Sequence, residues 1–324
     1  MKKALLIIAS VMAFTSAAKA AGMQDVQVDG FVDIVWALSD GPELGVNGDE
    51  GQFSTTGELD VKTRLSDKAN LRLDADLNSS GGGDSGRLEQ AFIGWTIDNN
   101  LSLKAGVFNN NLSWEREDAP DMYQVTHGQL YDVWNASTDL DGNNLAGLEL
   151  SYSTGDFTAF VGYLNDLGGV DEENSVKFGA EIRPSNDLKL VVGLITQDAG
   201  VENLIDFNAT IKVNNQLTVG GELLFPDEII DNGLMIMANF KVNPKLSATA
   251  RYDRVSYDSA VNQDDTSSIT VAGLYTLADN LYANAELRVN RDEDGPNPNA
   301  TAARRFGIGE GDGNTVHLEL VATF

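Results

Sequence analysis

An all-β chain, closed into an antiparallel transmembrane β-barrel of about sixteen strands, is the fold class that this sequence predicts. Three observations predict it. A short phrase, a polar turn followed by Leu and an alternating run, recurs as Asn70-Leu71-Arg72-Leu73, Asn100-Leu101-Ser102-Leu103, Asp187-Leu188-Lys189-Leu190, Gln216-Leu217-Thr218-Val219, Lys245-Leu246-Ser247-Ala248 and Asn280-Leu281-Tyr282-Ala283. Its leading leucines are 30, 87, 29, 29 and 35 positions apart, and the long gap holds a divergent copy, Gly155-Asp156-Phe157-Thr158-Ala159. A period near thirty residues with strand alternation fits one β-hairpin per repeat. Second, short and long connections alternate strictly along the chain. Third, the last strand, Thr315 to Phe324, is apolar at its even positions through to a terminal Phe. A row of hairpins leaves open edges, and closure removes them.

At the N-terminus, Lys2-Lys3 precedes a mostly apolar stretch from Ala4 to Ala18, and Ala18-Lys19-Ala20 has the small-x-small form of a cleavage site. Residues 1–20 therefore read as a secretory signal peptide cleaved after about Ala20, leaving 21–324 as the barrel. A membrane anchor is the alternative, but the run is short for a span and no stop-transfer pattern follows. No later segment approaches the roughly 18 apolar residues of a membrane helix, so a membrane is crossed by a closed barrel or not at all.

The first strand lies near Val26 to Leu38. In the next, Leu59, Val61, Thr63 and Leu65 share one face and Glu58, Asp60, Lys62 and Arg64 the other. After a turn, Leu71, Leu73, Ala75 and Leu77 alternate with Arg72, Asp74, Asp76 and Asn78. The pattern returns with Val176, Phe178, Ala180 and Ile182, with Ile205, Phe207, Ala209 and Ile211, and with Leu281, Ala283, Ala285, Leu287 and Val289. A period of two puts these sets on opposite faces. A soluble sandwich alternates as well, but here the polar face carries many charges of both signs, as a wet lumen allows.

Short turns fall near 66–70, 98–100, 154–156, 184–187, 214–216, 243–245 and 278–280. Longer loops fall near 39–52, 79–86, 109–144, 165–174, 198–203, 226–231, 254–267 and 291–314. Seven turns and eight loops join sixteen strands, with both termini on the short-turn rim. Short periplasmic turns and long external loops are the asymmetry of outer-membrane barrels, and a barrel of this size encloses an aqueous channel.

Composition excludes several classes. The 324-residue chain has no Cys, hence no disulfide and no thiolate metal site. Its formal net charge is −27, and removal of Lys2, Lys3 and Lys19 would make it −30, a surface that repels nucleic acid and attracts cations.

The segment Arg87-Leu88-Glu89-Gln90-Ala91-Phe92-Ile93-Gly94-Trp95, followed by Leu101-Ser102-Leu103-Lys104-Ala105-Gly106-Val107-Phe108, resembles the OmpL-like β-barrel porins, as does the opening Gly30-Phe31-Val32-Asp33. The specific resemblance covers about Gly30 to Asn135. It departs after Phe108, where such porins often continue with Pro and Gly before a Glu and this chain has Asn109-Asn110-Asn111-Leu112-Ser113-Trp114-Glu115. The resemblance implies a passive diffusion channel in a Gram-negative outer membrane, surrounded by lipid and lipopolysaccharide. Outer-membrane barrels generally are recognised during assembly by a terminal Phe, here Phe324, so a barrel assembly machinery is an expected partner; porins of this strand number fold the third loop inward, and large porins often form the homotrimer that is possible here.

That third loop, about 109–144, supplies Trp114, Glu115, Arg116, Glu117, Asp118 and Asp121 as candidate constriction residues. Lys62, Arg64, Arg72, Asp74, Lys104, Arg251, Glu286 and Arg288 are candidates on the wall. The phased lumen face carries 13 acids and 11 bases in all, close to balance, and acids opposite bases would orient polar solutes by a transverse field. Acidic groups in a narrow passage enrich cations, so mild cation selectivity is expected for a channel passing ions and small hydrophilic solutes.

Other chemistry finds little support. Asp139-Leu140-Asp141-Gly142-Asn143 and Asp292-Glu293-Asp294-Gly295 look like pieces of a calcium loop, but the twelfth positions are Leu150 and Ala303, which cannot coordinate, so both read as turns. Divalent cations beside lipopolysaccharide are a milder possibility for the acidic loops. His127 and His317 are the two histidines; Ser113 and Asp121 lie near His127 in sequence, but no motif joins them into an enzyme site. No cofactor or metal is expected. A structural or adhesive barrel with acidic surface loops is the alternative to a channel.

Overall fold

The computed structural model describes residues 24–39, 51–80, 83–138, 143–167, 173–197, 203–258, 265–292 and 313–324. The expected signal peptide and both calcium-loop look-alikes fall wholly or largely outside these residues.

Sixteen strands are present: β1 Gln24–Ser39, β2 Gln52–Arg64, β3 Ala69–Ser80, β4 Gly83–Thr96, β5 Leu101–Asn109, β6 Asn144–Thr154, β7 Phe157–Leu164, β8 Val176–Ser185, β9 Leu188–Thr196, β10 Leu204–Lys212, β11 Leu217–Phe225, β12 Ile230–Asn243, β13 Leu246–Tyr257, β14 Thr266–Ala278, β15 Leu281–Asp292 and β16 Gly313–Thr323. Each pairs antiparallel with its sequence neighbours, and β1 pairs with β16 from Phe31↔Thr323 to Ser39↔Thr315, closing the barrel. The seam is finished by Phe324, whose backbone N–H donates to Gly30 O at 3.0 Å while Gly30 N–H donates to Phe324 O at 3.2 Å.

The recurring turn phrase has a local cause. In three of the copies an Asx side chain stands three residues before the leading Leu and accepts two backbone N–H groups. Asp98 Oδ1 accepts from Asn100 at 2.8 Å and Leu101 at 2.9 Å. Asn214 Oδ1 accepts from Gln216 at 2.8 Å and Leu217 at 3.0 Å, and Asn243 Oδ1 from Lys245 at 2.8 Å and Leu246 at 3.1 Å. The side chain mimics a turn, satisfies two orphan donors and releases the chain into the next strand.

The alternation holds at the outer surface. Val28, Val32, Ile34, Phe178, Phe207, Ile236, Leu287 and Leu318 all face outward and are exposed. A continuous apolar exterior of this kind is lipid-facing. Two expectations need correction. Short and long connections do not alternate strictly, because β3 and β4 run on to Ser80↔Gly83 and leave only two residues between strands where a loop over 79–86 was expected. Nor is the lumen simply aqueous. Val191, Ile195, Leu204, Leu224, Met235, Met237 and Val255 point inward and are buried under the third loop in a true hydrophobic core.

Candidate functional site

The third loop leaves β5 at Asn109 and returns at β6 with Asn144, carrying a 3-10 turn, Ala119–Asp121, and a helix, α1, Gln129–Ser137. Helix α1 buries Leu130, Tyr131, Val133 and Trp134 against the inner wall. Leu130, Val133 and Trp134, with Phe108, Leu112 and Trp114, meet the inward apolar residues of β9–β13. Gly193 and Gly220 make room. A Cβ on Gly193 would lie 2.2 Å from Leu112, and one on Gly220 2.2 Å from the Trp114 ring.

Polar anchors fix the loop's path. Ser113 N–H donates to Asp206 Oδ2 at 3.4 Å and Trp114 N–H to Glu222 Oε2 at 2.9 Å. The Trp114 indole donates to Thr210 at 2.9 Å, and the Trp134 indole to Glu222 Oε1 at 2.7 Å. Glu115 accepts from Arg251 at 2.9 Å, from Gly128 N–H at 2.7 Å and from Gln124. Arg251 also reaches Asp253, Thr126 O, His127 O and Thr270. Glu286 accepts from Val125 and Thr126, Arg288 donates to His127 O at 2.8 Å, and Gln129 N–H donates to Asp253 at 3.0 Å. Each wall carboxylate thus takes up backbone N–H groups that the irregular loop would otherwise bury unpaired.

The candidate constriction residues therefore separate by position. Trp114, Glu115, Arg251 and Glu286 are buried in the contact between loop and wall, and Arg288 holds the same contact from the half-buried lumen face. Arg116 and Asp121 are exposed within the lumen, and Glu117 and Asp118 are half-buried at the loop's tip. Asp74 is fully buried, held by Arg72 at 2.5 Å and by Gln90. Lys62 meets Asp60 at 3.1 Å. Lys104 meets Glu149 at 3.4 Å and lies over the rings of Phe92 and Phe108. Arg64 is exposed at the end of β2 by the short turn, away from the third loop's anchors.

The lumen is electrically asymmetric. On the β2–β4 side, Glu58, Asp60, Asp74, Asp76 and Glu89 face Glu117 and Asp118 of the loop, with Arg72 and Arg87 interleaved. Burial, then the charge of Glu89, pushes the Glu117 carboxyl up to about 8 against the pull of Arg87. Asp118 is raised as well, by burial first. On the β8–β11 side, a recess of about 370 Å³ opens toward the short-turn rim, lined by Arg116, Arg183, Lys189 and Lys212 with Asp121 and the stacked Trp114 and Tyr123. A neighbouring recess of about 410 Å³ carries Lys241 and Lys245. Acids thus stand across the loop from bases.

Glu89 and Arg87 were outside the candidate set, and their place has a local reason. The β3–β4 register shifts between Asp74↔Gln90 and Ala75↔Leu88, so Glu89 sits in a bulge and both Glu89 and Gln90 turn inward. A bulge breaks the two-residue phase from which lumen residues are counted. The docking glycines were missed for a different reason, since a Gly in a strand has no side chain to phase. Their signal is position: Gly193 and Gly220 occupy inward registers.

His127 stacks on Tyr131, ring centroids 3.9 Å apart, with Glu115 at 4.0 Å and Glu117 at 3.9 Å. Burial, then Arg251 and Arg288, lowers it to about 3, so it is neutral. Its partners are these residues rather than Ser113, whose backbone is bound to Asp206.

Comparison with known proteins agrees with this architecture. The Gram-negative porin family model matches residues 6–295, a match that does not single out the OmpL-like porins. No curated protein matches in sequence. Among solved structures, Pseudomonas putida OprB at high pH shares 13% identity, with 96% of each chain covered and a TM-score of 0.69. An anion-selective porin from Comamonas acidovorans shares 14%, covering 93% of this chain and 99% of that one, TM-score 0.67. A loop-deleted OmpT from Vibrio cholerae shares 12%, covering 93% and 99%, TM-score 0.64. At such identities the likeness is one of fold.

Proposed function

Since the chain belongs to the Gram-negative porin family and is an outer-membrane channel, we propose that it passes ions and small hydrophilic solutes by passive diffusion with a mild preference for cations. One observation carries the preference. The tip of the inward third loop, Glu117 and Asp118, meets five wall carboxylates at the β2–β4 side, against which stand Lys62, Arg72 and Arg87. A partly ionised acidic strip beside a narrow aqueous path raises the local cation concentration, because low-dielectric walls focus its field. The bases of the two recesses give the field a transverse direction and keep the preference mild.

The anchored loop supports a fixed constriction rather than a moving plug. Its ties to Asp206, Glu222, Arg251, Asp253 and Glu286 span four strands, β10, β11, β13 and β15, and leave the tip outside the anchored contact. Assembly through Phe324 and a trimeric state belong to the same reading; within the closed barrel Phe324 itself is tied to Gly30 by reciprocal backbone bonds. Liposome swelling tests transport: purified protein should let small neutral sugars through at rates that fall with solute size. Liposomes that stay impermeable to the smallest sugars would favour the structural or adhesive barrel instead.

A further inference from the structure

Glu58 of β2 and Glu89 of β4 point into the lumen from either side of β3, and Asp118 reaches them from the tip of the third loop. One carboxylate oxygen from each lies within 4.8 Å of the others. Glu58 is 4% exposed and Glu89 2%. We propose that Glu58, Glu89 and Asp118 bind one divalent cation of the Ca²⁺ class, which fastens the loop tip to the barrel wall.

Two independent observations carry this. The first is the triad's geometry. Ca²⁺ bonds oxygen at about 2.3–2.6 Å, so two oxygens on one ion stand no more than about 4.6–5.2 Å apart, and three oxygens within 4.8 Å of one another can share it. The second is unspent valence. Glu89 Oε2 and Asp118 Oδ1 are buried with no hydrogen-bond partner. Glu89 Oε1 is oriented by the Asn144 amide at 3.2 Å. A buried acceptor left unpaired is costly, and a cation relieves it.

The adjacent guanidinium groups are engaged elsewhere. Arg72 holds Asp74 at 2.5 Å and Asp60 at 3.2 Å, and Arg87 holds Asp76 at 2.8 Å with Glu117 at 3.7 Å. The second acidic trio, Glu58 with Asp60 and Asp74, is thereby neutralised at two of its members, which leaves Glu58, Glu89 and Asp118 as the cation's ligands. Three carboxylates supply up to six oxygens, most of the six to eight that Ca²⁺ takes, with water completing the shell.

Calorimetric titration of CaCl₂ into chelator-treated, detergent-refolded protein without lipopolysaccharide at pH 8 tests the proposal. It reads binding and not conduction, so its outcome is separate from that of the selectivity reading. One site per chain is expected. Glu89→Gln and Asp118→Asn should each weaken it at least tenfold, whereas Asp156→Asn, in an exposed short turn, should leave it unchanged. Folding of every variant is checked by its mobility on an unheated gel, and Glu58→Gln replaces either variant that fails to fold. Absence of Ca²⁺ binding in the wild type would overturn the proposal, the carboxyls then sharing protons instead. Binding indifferent to these substitutions would overturn it equally.

Discussion

Arg251 of β13 and Glu115 of the third loop form a buried ion pair, Nη1 to Oε1 at 2.9 Å, that joins the barrel wall to the loop across the lumen. Both side chains are nearly inaccessible, and the remaining hydrogen-bonding positions are filled by Asp253, Thr126 O, His127 O and Thr270 on one side and by Gln124 and Gly128 on the other. Removing one partner of such a pair leaves a buried charge uncompensated and costs about 3–5 kcal/mol. Arg251→Met should therefore leave a folded barrel with a loosened loop, read as a larger and noisier single-channel conductance and a lower temperature of unfolding. The double variant with Glu115→Gln should recover part of that loss.

Steric docking predicts an independent route to the same loosening. A Cβ on Gly220 would sit 2.2 Å from the Trp114 ring. Gly220→Val, which raises strand propensity, should nonetheless destabilise the loop's seat and enlarge conductance. In a Trp114→Ala background the same change should be nearly silent. Unfolding measurements on the four proteins of that cycle would expose the coupling.

These two anchors show what the sequence could and could not reveal. The barrel was legible because the lipid-facing rows repeat in steps of two and several short turns are built by Asx or Ser chemistry, as at Asp98, Asn214 and Asn243. The count of sixteen and the position of the third loop followed. The division of the charged residues into anchors and tip was not legible, because it depends on which wall strand the loop happens to touch. Arg251 and Arg116 look alike in sequence, yet one is buried and the other exposed to the lumen. Glu89 was hidden by a bulge. Val191, Met235 and Met237 are inward apolar residues, whose meaning depends on a helix more than fifty positions earlier.

Glu117 makes the channel pH-dependent. Its folded pKa, pushed up to about 8, exceeds the ordinary carboxylate value of 4.5, so the folded state holds the proton more tightly than the unfolded one. Its stabilising contribution is therefore complete below pH 4.5 and is lost as pH rises through about 8. Over that upper range the tip gains negative charge. Cation preference in planar bilayers should rise between about pH 7 and 9, and Glu117→Gln should flatten that step.

The seam predicts a smaller effect. Deleting Phe324 removes the two backbone bonds to Gly30. At about 0.5–1.5 kcal/mol each, the loss should be on the order of 1–3 kcal/mol in the purified barrel. If the terminal Phe also serves recognition during assembly, the yield of heat-modifiable barrel in cells should fall far more steeply than this stability change accounts for.

The reversal potential across a planar bilayer under a KCl gradient, recorded with chelator present at pH 8.5, tests most directly whether the third-loop tip filters by charge. The wild type should give a potential of the sign that marks cation preference, and Glu117→Gln combined with Asp118→Asn should move it toward zero or into the anion-preferring range. A wild-type potential of anion-preferring sign, or a double variant indistinguishable from a cation-preferring wild type, would contradict the account.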